Sequence, residues 1–124
     1  MSQAGFADNR DFTRFSAQEG AFAVITAPRK LGQILDISKG GLSFTYIGEE
    51  KGPKKDTELD IFLSGSGFNS KNISYKTISD FEIESKVEFS SVKMRRCGVK
   101  FRQLHLDQIS QIEDFLQKHT VVED

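Results

Sequence analysis

The chain has 124 residues, of which 37% are hydrophobic and 28% are charged, and these proportions suit one compact globular domain. Its formal net charge is −1. This argues against a protein that coats nucleic acid, because such proteins carry a basic excess, and we expect no DNA partner. Cys97 is the only cysteine, so an intrachain disulfide is excluded and nothing indicates an oxidising compartment.

The start of the chain lacks the basic residues and apolar run of a secretory signal peptide. No apolar stretch approaches the ~20 residues that a membrane-spanning helix requires. We therefore expect a cytoplasmic protein without membrane insertion. Residues 1–8 are mostly small and polar, which predicts a flexible N-terminal arm.

The body of the chain reads as a series of short strands. Alternating or β-branched apolar runs predict strands at Ala21–Thr26, Leu31–Ile37, Leu42–Ile47 and around Leu59, Ile61 and Leu63. Further strand-like segments are Phe68–Ile73, Tyr75–Ile78, Phe81–Phe89 and Arg95–Arg102. Many short strands joined by glycine-rich turns are typical of an antiparallel barrel or sandwich.

The end of the chain changes from strand to helix periodicity. Apolar residues recur there at three- and four-residue spacing, at Leu106, Ile109, Ile112, Phe115 and Leu116. This spacing predicts an amphipathic helix. Asp107 in its first turn and Lys118 in its last turn suit the helix dipole, and residues 120–124 read as a tail.

Two motifs in the first third of the chain point to a ligand. Arg10 and Arg14 form an RxxxR pair, and Asp36, Ser38 and Gly41 form a DxSxxG turn between two predicted strands. A guanidinium fork grips a phosphate through two parallel hydrogen bonds and also matches the O6/N7 edge of guanine. At average residue usage, both motifs occur together by chance in roughly one chain in a hundred or fewer.

Each motif also has a plainer explanation. Two arginines near an N-terminus are usually solvated charges without a special role. Asp, Ser and Gly favour turns for local reasons, namely side-chain hydrogen bonds to the backbone and positive φ. These explanations account for the residue types but not for the occurrence of both motifs in one chain.

These five residues resemble the two-part signature of the PilZ domain, a family of bacterial cyclic di-GMP receptors. The segment Cys97–Phe101 resembles the GV-x-F strand found late in that family, and a C-terminal helix follows it, also as in the family. The resemblance implies that residues 9–119 form a mainly β domain. Its expected fold is a six- to seven-stranded antiparallel β-barrel of PilZ type with a C-terminal α-helix.

The resemblance also implies a function. Arg10 and Arg14 would hold phosphates and guanine edges, Asp36 and Ser38 would accept from and donate to the ligand, and Gly41 would keep the turn open. Asn9 precedes the first arginine, where many family members carry a basic or bulky apolar residue that influences how many ligand molecules bind. We expect a receptor that binds cyclic di-GMP and passes the signal to a downstream protein partner.

No catalytic residues, metal ligands or cofactor are indicated by the sequence. No histidine accompanies a candidate nucleophile, His105 and His119 lack partners at metal-ligand spacing, and Cys97 shares the parity of core residues. Arg95 and Arg96 are further candidates for basic surface near the ligand. Two other functions stay open: a degenerate PilZ-like barrel that binds only protein, and a small barrel that binds single-stranded nucleic acid.

Overall fold

The computed structural model describes residues 13–26, 29–48, 58–65, 67, 69–83 and 93–122. These residues form eight strands and one helix. In chain order the elements are β1 (Phe15–Ala17), β2 (Ala21–Thr26), β3 (Arg29–Ile37), β4 (Gly41–Ile47), β5 (Glu58–Leu63), β6 (Asn69–Ile83), β7 (Met94–Phe101), α1 (Leu106–Lys118) and β8 (Thr120–Val122).

Six of the strands close into an antiparallel barrel in the order β2, β5, β6, β7, β4, β3 and back to β2. Outside the closed ring, β1 pairs with β3, and β8 pairs with β1. The predicted six- to seven-stranded antiparallel barrel with a C-terminal helix is therefore confirmed. Closure satisfies the edge hydrogen bonds that an open sheet would expose.

The interior of the barrel is filled by alternate side chains from the strands, as the two-residue period requires. The largest fully buried side chains there include Tyr75, Phe44, Ile34 and Leu59. Cys97 is also fully buried, which confirms its assignment to the core. Its desolvation raises the pKa of the thiol to about 12, so the thiolate needed for nucleophilic chemistry does not form near neutral pH.

Strand β6 runs without interruption for 15 residues, whereas the sequence predicts three separate strands there; positions 68 and 84–89 of those predictions lie outside the described residues. Two irregularities explain the difference. Asn72 has a φ of +59°, and the register with β7 shifts between Thr77 and Ser79. A bulge inserts one residue and reverses the parity that follows, so one strand reads as several short ones.

The helix α1 packs one face on the barrel through Ile112, Phe115 and Leu116. Leu106 is 83% exposed, so its predicted place on the buried face is wrong. Gln108 is the buried residue in the first turn of the helix. Its Nε2 donates to the backbone oxygens of Lys71 and Asn72, at 2.9 and 3.0 Å. Hydrophobic periodicity cannot predict the burial of a polar side chain that hydrogen-bonds to the backbone of an irregular strand.

The two ends of the chain differ in how the predictions compare with the structure. The arm predicted over residues 1–8 lies outside the described residues. We expect a tail over residues 120–124 from the sequence, whereas Thr120–Val122 forms β8 and pairs with β1. Within the described ranges, no helix has both the length and the apolar character needed to cross a bilayer.

Candidate functional site

The DxSxxG motif forms the tight connection between β3 and β4. The backbone N–H of Ser38 donates to the carbonyl oxygen of Gly41 at 2.8 Å, and the N–H of Gly40 donates to Ser38 Oγ at 3.1 Å. Ser38 is buried. The serine hydroxyl therefore stabilises the turn by a local hydrogen bond and fixes the backbone that positions the neighbouring side chains.

Gly41 is required where β4 begins to pair with β7. It lies opposite Lys100, and a Cβ at this position would overlap the carbonyl oxygen of Val99 and lie 3.2 Å from the Cα of Lys100. The glycine thus permits two backbones to approach each other closely. This is a structural role within the motif, separate from any contact with a ligand.

Asp36 stands on the outer surface of the barrel because β3 contains a bulge. The register with β4 shifts between Ile34 and Asp36, so that Ile34 faces the core while Asp36 lies opposite Ser43. Bulges commonly re-aim a side chain in this way. The Asp36 side chain is nevertheless only 8% exposed, since arginine side chains cover it.

Arg14 reaches Asp36 through the pairing of β1 with β3. Ser16 lies opposite Asp36 in that pairing, which brings the preceding arginine next to the carboxylate. Arg14 Nη1 donates to Asp36 Oδ1 at 2.6 Å, and Arg96 Nη2 lies 3.4 Å from Asp36 Oδ2. One carboxylate therefore binds two guanidinium groups. Arg14 reaches it from β1, on one side of β3, and Arg96 reaches it from β7, beyond β4 on the other side.

A surface cavity of about 270 Å³ adjoins this cluster. Its lining combines one arginine, one lysine, the motif serine, backbone of the turn and apolar side chains: Arg14, Ser38, Gly40, Gly41, Ile78, Val99 and Lys100. Cationic groups and hydroxyl or backbone donors suit a phosphate, and apolar surface beside them suits a base or sugar. The arrangement can bind an anionic nucleotide.

The structure brings together four of the sequence-predicted site residues: Arg14, Asp36, Ser38 and Gly41. The other two, Asn9 and Arg10, lie outside the described residues. Sequence reasoning missed Ile78 and Lys100, although Lys100 has the same parity on β7 as Arg96. That shared parity was the available signal.

The adjacent arginines of β7 point in opposite directions. Arg95 is buried, and its Nε donates to Asp80 Oδ1 at 2.8 Å, while Tyr46 donates its hydroxyl to Asp80 Oδ2 at 2.6 Å. The bond to Asp80 raises the pKa of Arg95 further. Arg95 is therefore a structural cation of the barrel and does not extend the basic surface, whereas Arg96 lies beside Asp36.

No candidate metal-binding site is present in the part of the chain that the structure describes. Those ranges contain no group of three or more His, Cys, Asp or Glu side chains arranged to hold an ion. His105 is instead the N-cap residue of α1, and its backbone N–H donates to Gln108 Oε1 at 2.9 Å.

Comparison with known proteins agrees with this geometry. The family model described as PilZ domain matches residues 8–118, while a comparison with curated protein sequences finds no match.

Among solved structures, the PilZ domain of YcgR from Escherichia coli, determined with c-di-GMP, superposes with a TM-score of 0.64 at 14% identity. That match covers 90% of this chain and 92% of the other. The K. pneumonia MrkH–c-di-GMP complex superposes with a TM-score of 0.68 at 18% identity, over 90% of this chain and 52% of MrkH. This chain thus spans about half the length of MrkH. Since the family model covers most of the chain and the solved structures share its barrel, the chain belongs to the PilZ domain family.

Proposed function

We propose that this chain is a receptor for cyclic di-GMP, which binds on the outer surface of the barrel beside the turn between β3 and β4. The observation that carries the proposal is the convergence of Arg14 with Asp36, Ser38 and Gly41 around one surface cavity. Arg14 lies 22 residues from Asp36 in the sequence, and a plain turn would not require the arginine. Membership of the family supports the same ligand, as do the c-di-GMP complexes of YcgR and MrkH.

The residue roles follow from the chemistry of the ligand. Arg14, with Arg10 from the same motif, binds a phosphate or the O6/N7 edge of a guanine through its planar fork. Asp36 accepts from the N–H groups of a guanine and holds Arg14 in position before the ligand arrives. Ser38 keeps the turn in shape and donates to a phosphate oxygen, and Asn9 influences how many ligand molecules bind.

The bound state requires a local exchange of partners. Arg14 Nη1 is hydrogen-bonded to Asp36 Oδ1, so a guanine edge that binds Asp36 competes with Arg14. The arginine side chain is 58% exposed although Asp36 is only 8% exposed, and ion pairs with a solvated partner at the surface are worth about 1 kcal/mol or less. Rearrangement is therefore inexpensive relative to the charge-assisted bonds that the ligand offers.

We further infer that the signal passes to a protein partner through the layer formed by β1, β8 and α1. Arg14 directly precedes β1, and β1 pairs with β8, the strand that follows α1 in the chain. Lys39 of the turn lies 3.5 Å from Glu113 on α1. A ligand that moves Arg14 or the turn thus acts on two contacts of the helix region, the β1–β8 pairing and the Lys39–Glu113 ion pair. The receptor itself performs no catalysis.

The test is calorimetric titration of the full chain with cyclic di-GMP, which yields affinity and stoichiometry together. We expect a dissociation constant in the micromolar range or below, with GTP, GMP, cyclic AMP and cyclic di-AMP far weaker. Arg14→Ala should abolish most of the binding. Lys71→Ala is the matched control, since it removes an exposed cation from β6 next to the start of α1. Equal binding of cyclic di-AMP would refute the assignment of guanine, because adenine presents different edge groups.

A further inference from the structure

Arg96 lies on the outer face of β7 and shares the Asp36 carboxylate with Arg14. Its neighbours on the strand, Arg95 and Cys97, are buried in the interior, so the alternation along the strand turns Arg96 outward. Arg96 Nη2 is 3.4 Å from Asp36 Oδ2, and 42% of the side chain is exposed. Within the described ranges, Asp36 is its only ion-pair partner.

The shared carboxylate orients both guanidinium groups toward one point of the surface. Asp36 uses Oδ1 for Arg14 and Oδ2 for Arg96. A guanidinium carries five N–H donors in a rigid fork, and each of these two groups contacts the carboxylate through a single nitrogen in the bonds described. Their solvent-facing donors are therefore available to an incoming ligand.

The outer face of β7 continues from Arg96 to the cavity. Gly98 separates Arg96 from Lys100 on this face, and Lys100 lines the cavity together with Ile78. The volume of about 270 Å³ is below the roughly 300–1,000 Å³ of pockets that enclose a drug-sized ligand. A cyclic dinucleotide, with two bases, two sugars and two phosphates, therefore extends beyond the cavity onto the neighbouring surface.

The neighbouring surface at Arg96 has the properties that a nucleotide requires. Phe81 lies opposite Arg96 on β6 and is 49% exposed. An exposed ring offers a stacking surface to a base. The position between Arg96 and Lys100 is Gly98, where a Cβ would lie 2.7 Å from Ser79 Oγ, so the glycine leaves room for side chains of the bulged part of β6.

The charges of the site also match the ligand. Three cationic side chains, Arg14, Arg96 and Lys100, stand against the one carboxylate of Asp36, which leaves two positive charges. Lys39 is paired with Glu113 and adds nothing to this balance. A cyclic dinucleotide carries two negative charges, one on each phosphodiester. Without Arg96, the balance of Arg14 and Lys100 against Asp36 would leave a single positive charge.

We propose that Arg96 is a further ligand-binding arginine of this receptor, which donates from its solvent-facing nitrogens to a phosphate or a guanine edge of the cyclic dinucleotide. This inference rests on the proposed function. It adds a residue outside the RxxxR and DxSxxG motifs, and it predicts that the bound ligand extends along β7 from the cavity toward Phe81.

The competing explanation is that Arg96 acts only through Asp36, as a positioning residue. A double-mutant cycle separates the two, with cyclic di-GMP titrated into wild type, Arg96→Ala, Asp36→Ala and the double variant. We expect Arg96→Ala to weaken binding at least tenfold in both backgrounds. Arg96→Lys should recover only a minor part, because lysine lacks the planar fork. Lys71→Ala, which removes the same charge far from the cavity, should bind like wild type.

Each result has a distinct meaning. If Arg96→Ala costs nothing further in the Asp36→Ala background, Arg96 acts only through Asp36 and the inference is overturned. If wild type binds and Arg96→Ala binds equally well, the inference fails while the proposed function stands. If wild type does not bind cyclic di-GMP, both fail. A thermal transition recorded for every variant shows that losses of affinity are not losses of fold.

Discussion

Replacement of Gly41 by alanine tests whether this glycine of the DxSxxG motif serves the packing of the barrel or only the binding of the ligand. The new Cβ would overlap the carbonyl oxygen of Val99 and lie 3.2 Å from the Cα of Lys100. Both obstacles are backbone atoms of the paired strand β7, so no side-chain rotation relieves the overlap. Overpacking typically costs 1–3 kcal/mol, and a backbone obstacle favours the upper limit, about 3 kcal/mol. At about 4 °C per kcal/mol for a domain of this size, the transition falls by about 12 °C.

The assay is thermal unfolding of the chain without ligand, followed by circular dichroism. The matched control is Gly48→Ala, because the nearest atom to a Cβ there is the flexible end of Lys30, at 3.3 Å. We expect its transition to lie within about 3 °C of wild type, since an alanine that fits shifts stability by less than about 1 kcal/mol. The reasoning is refuted if Gly41→Ala unfolds within 3 °C of wild type and loses only ligand binding, since the glycine would then serve the ligand alone.

Three further predictions concern the site and the core. Asp36→Ala should lower the free energy of unfolding by only about 1 kcal/mol, because its two arginine partners are half-hydrated, and yet weaken cyclic di-GMP binding at least tenfold; a calorimetric loss of several kcal/mol in stability would contradict this. Arg14→Lys should be nearly as damaging to binding as Arg14→Ala, since lysine keeps the charge but not the fork, and recovery of most of the affinity would make the role one of generic charge. Burial raises the pKa of the Cys97 thiol from 9.0 to about 12, so the folded protein should resist alkylation at pH 8. The stability that the buried thiol contributes should be lost as the pH rises from about 9 to about 12. Rapid labelling of the native protein at pH 8 would argue against this reasoning.

Much of the fold is readable from local pattern. The bounds of β2 match the prediction from alternation, and α1 ends at Lys118, within a residue of where its charges suggested. The long strand β6 was not readable in the same way, because Asn72 with its positive φ and the bulge near Thr77 break the two-residue period. Periodicity reports a regular element well and an irregular one poorly, since each inserted residue reverses the parity that carries the signal.

For the site, the sequence by itself determined which chemical groups are present: a guanidinium pair, a carboxylate, a hydroxyl and a turn glycine. Only the tertiary structure decided which of them meet. Arg14 reaches Asp36 because β1 pairs with β3, and Arg96 reaches the same carboxylate because β4 pairs with both β3 and β7. The structure also decided that Arg95 faces inward to Asp80 while Arg96 faces outward beside Asp36. The physical reason is that residue types and their spacing set local conformation, whereas strand pairing, which depends on closure of the whole barrel, sets the distances between residues remote in sequence.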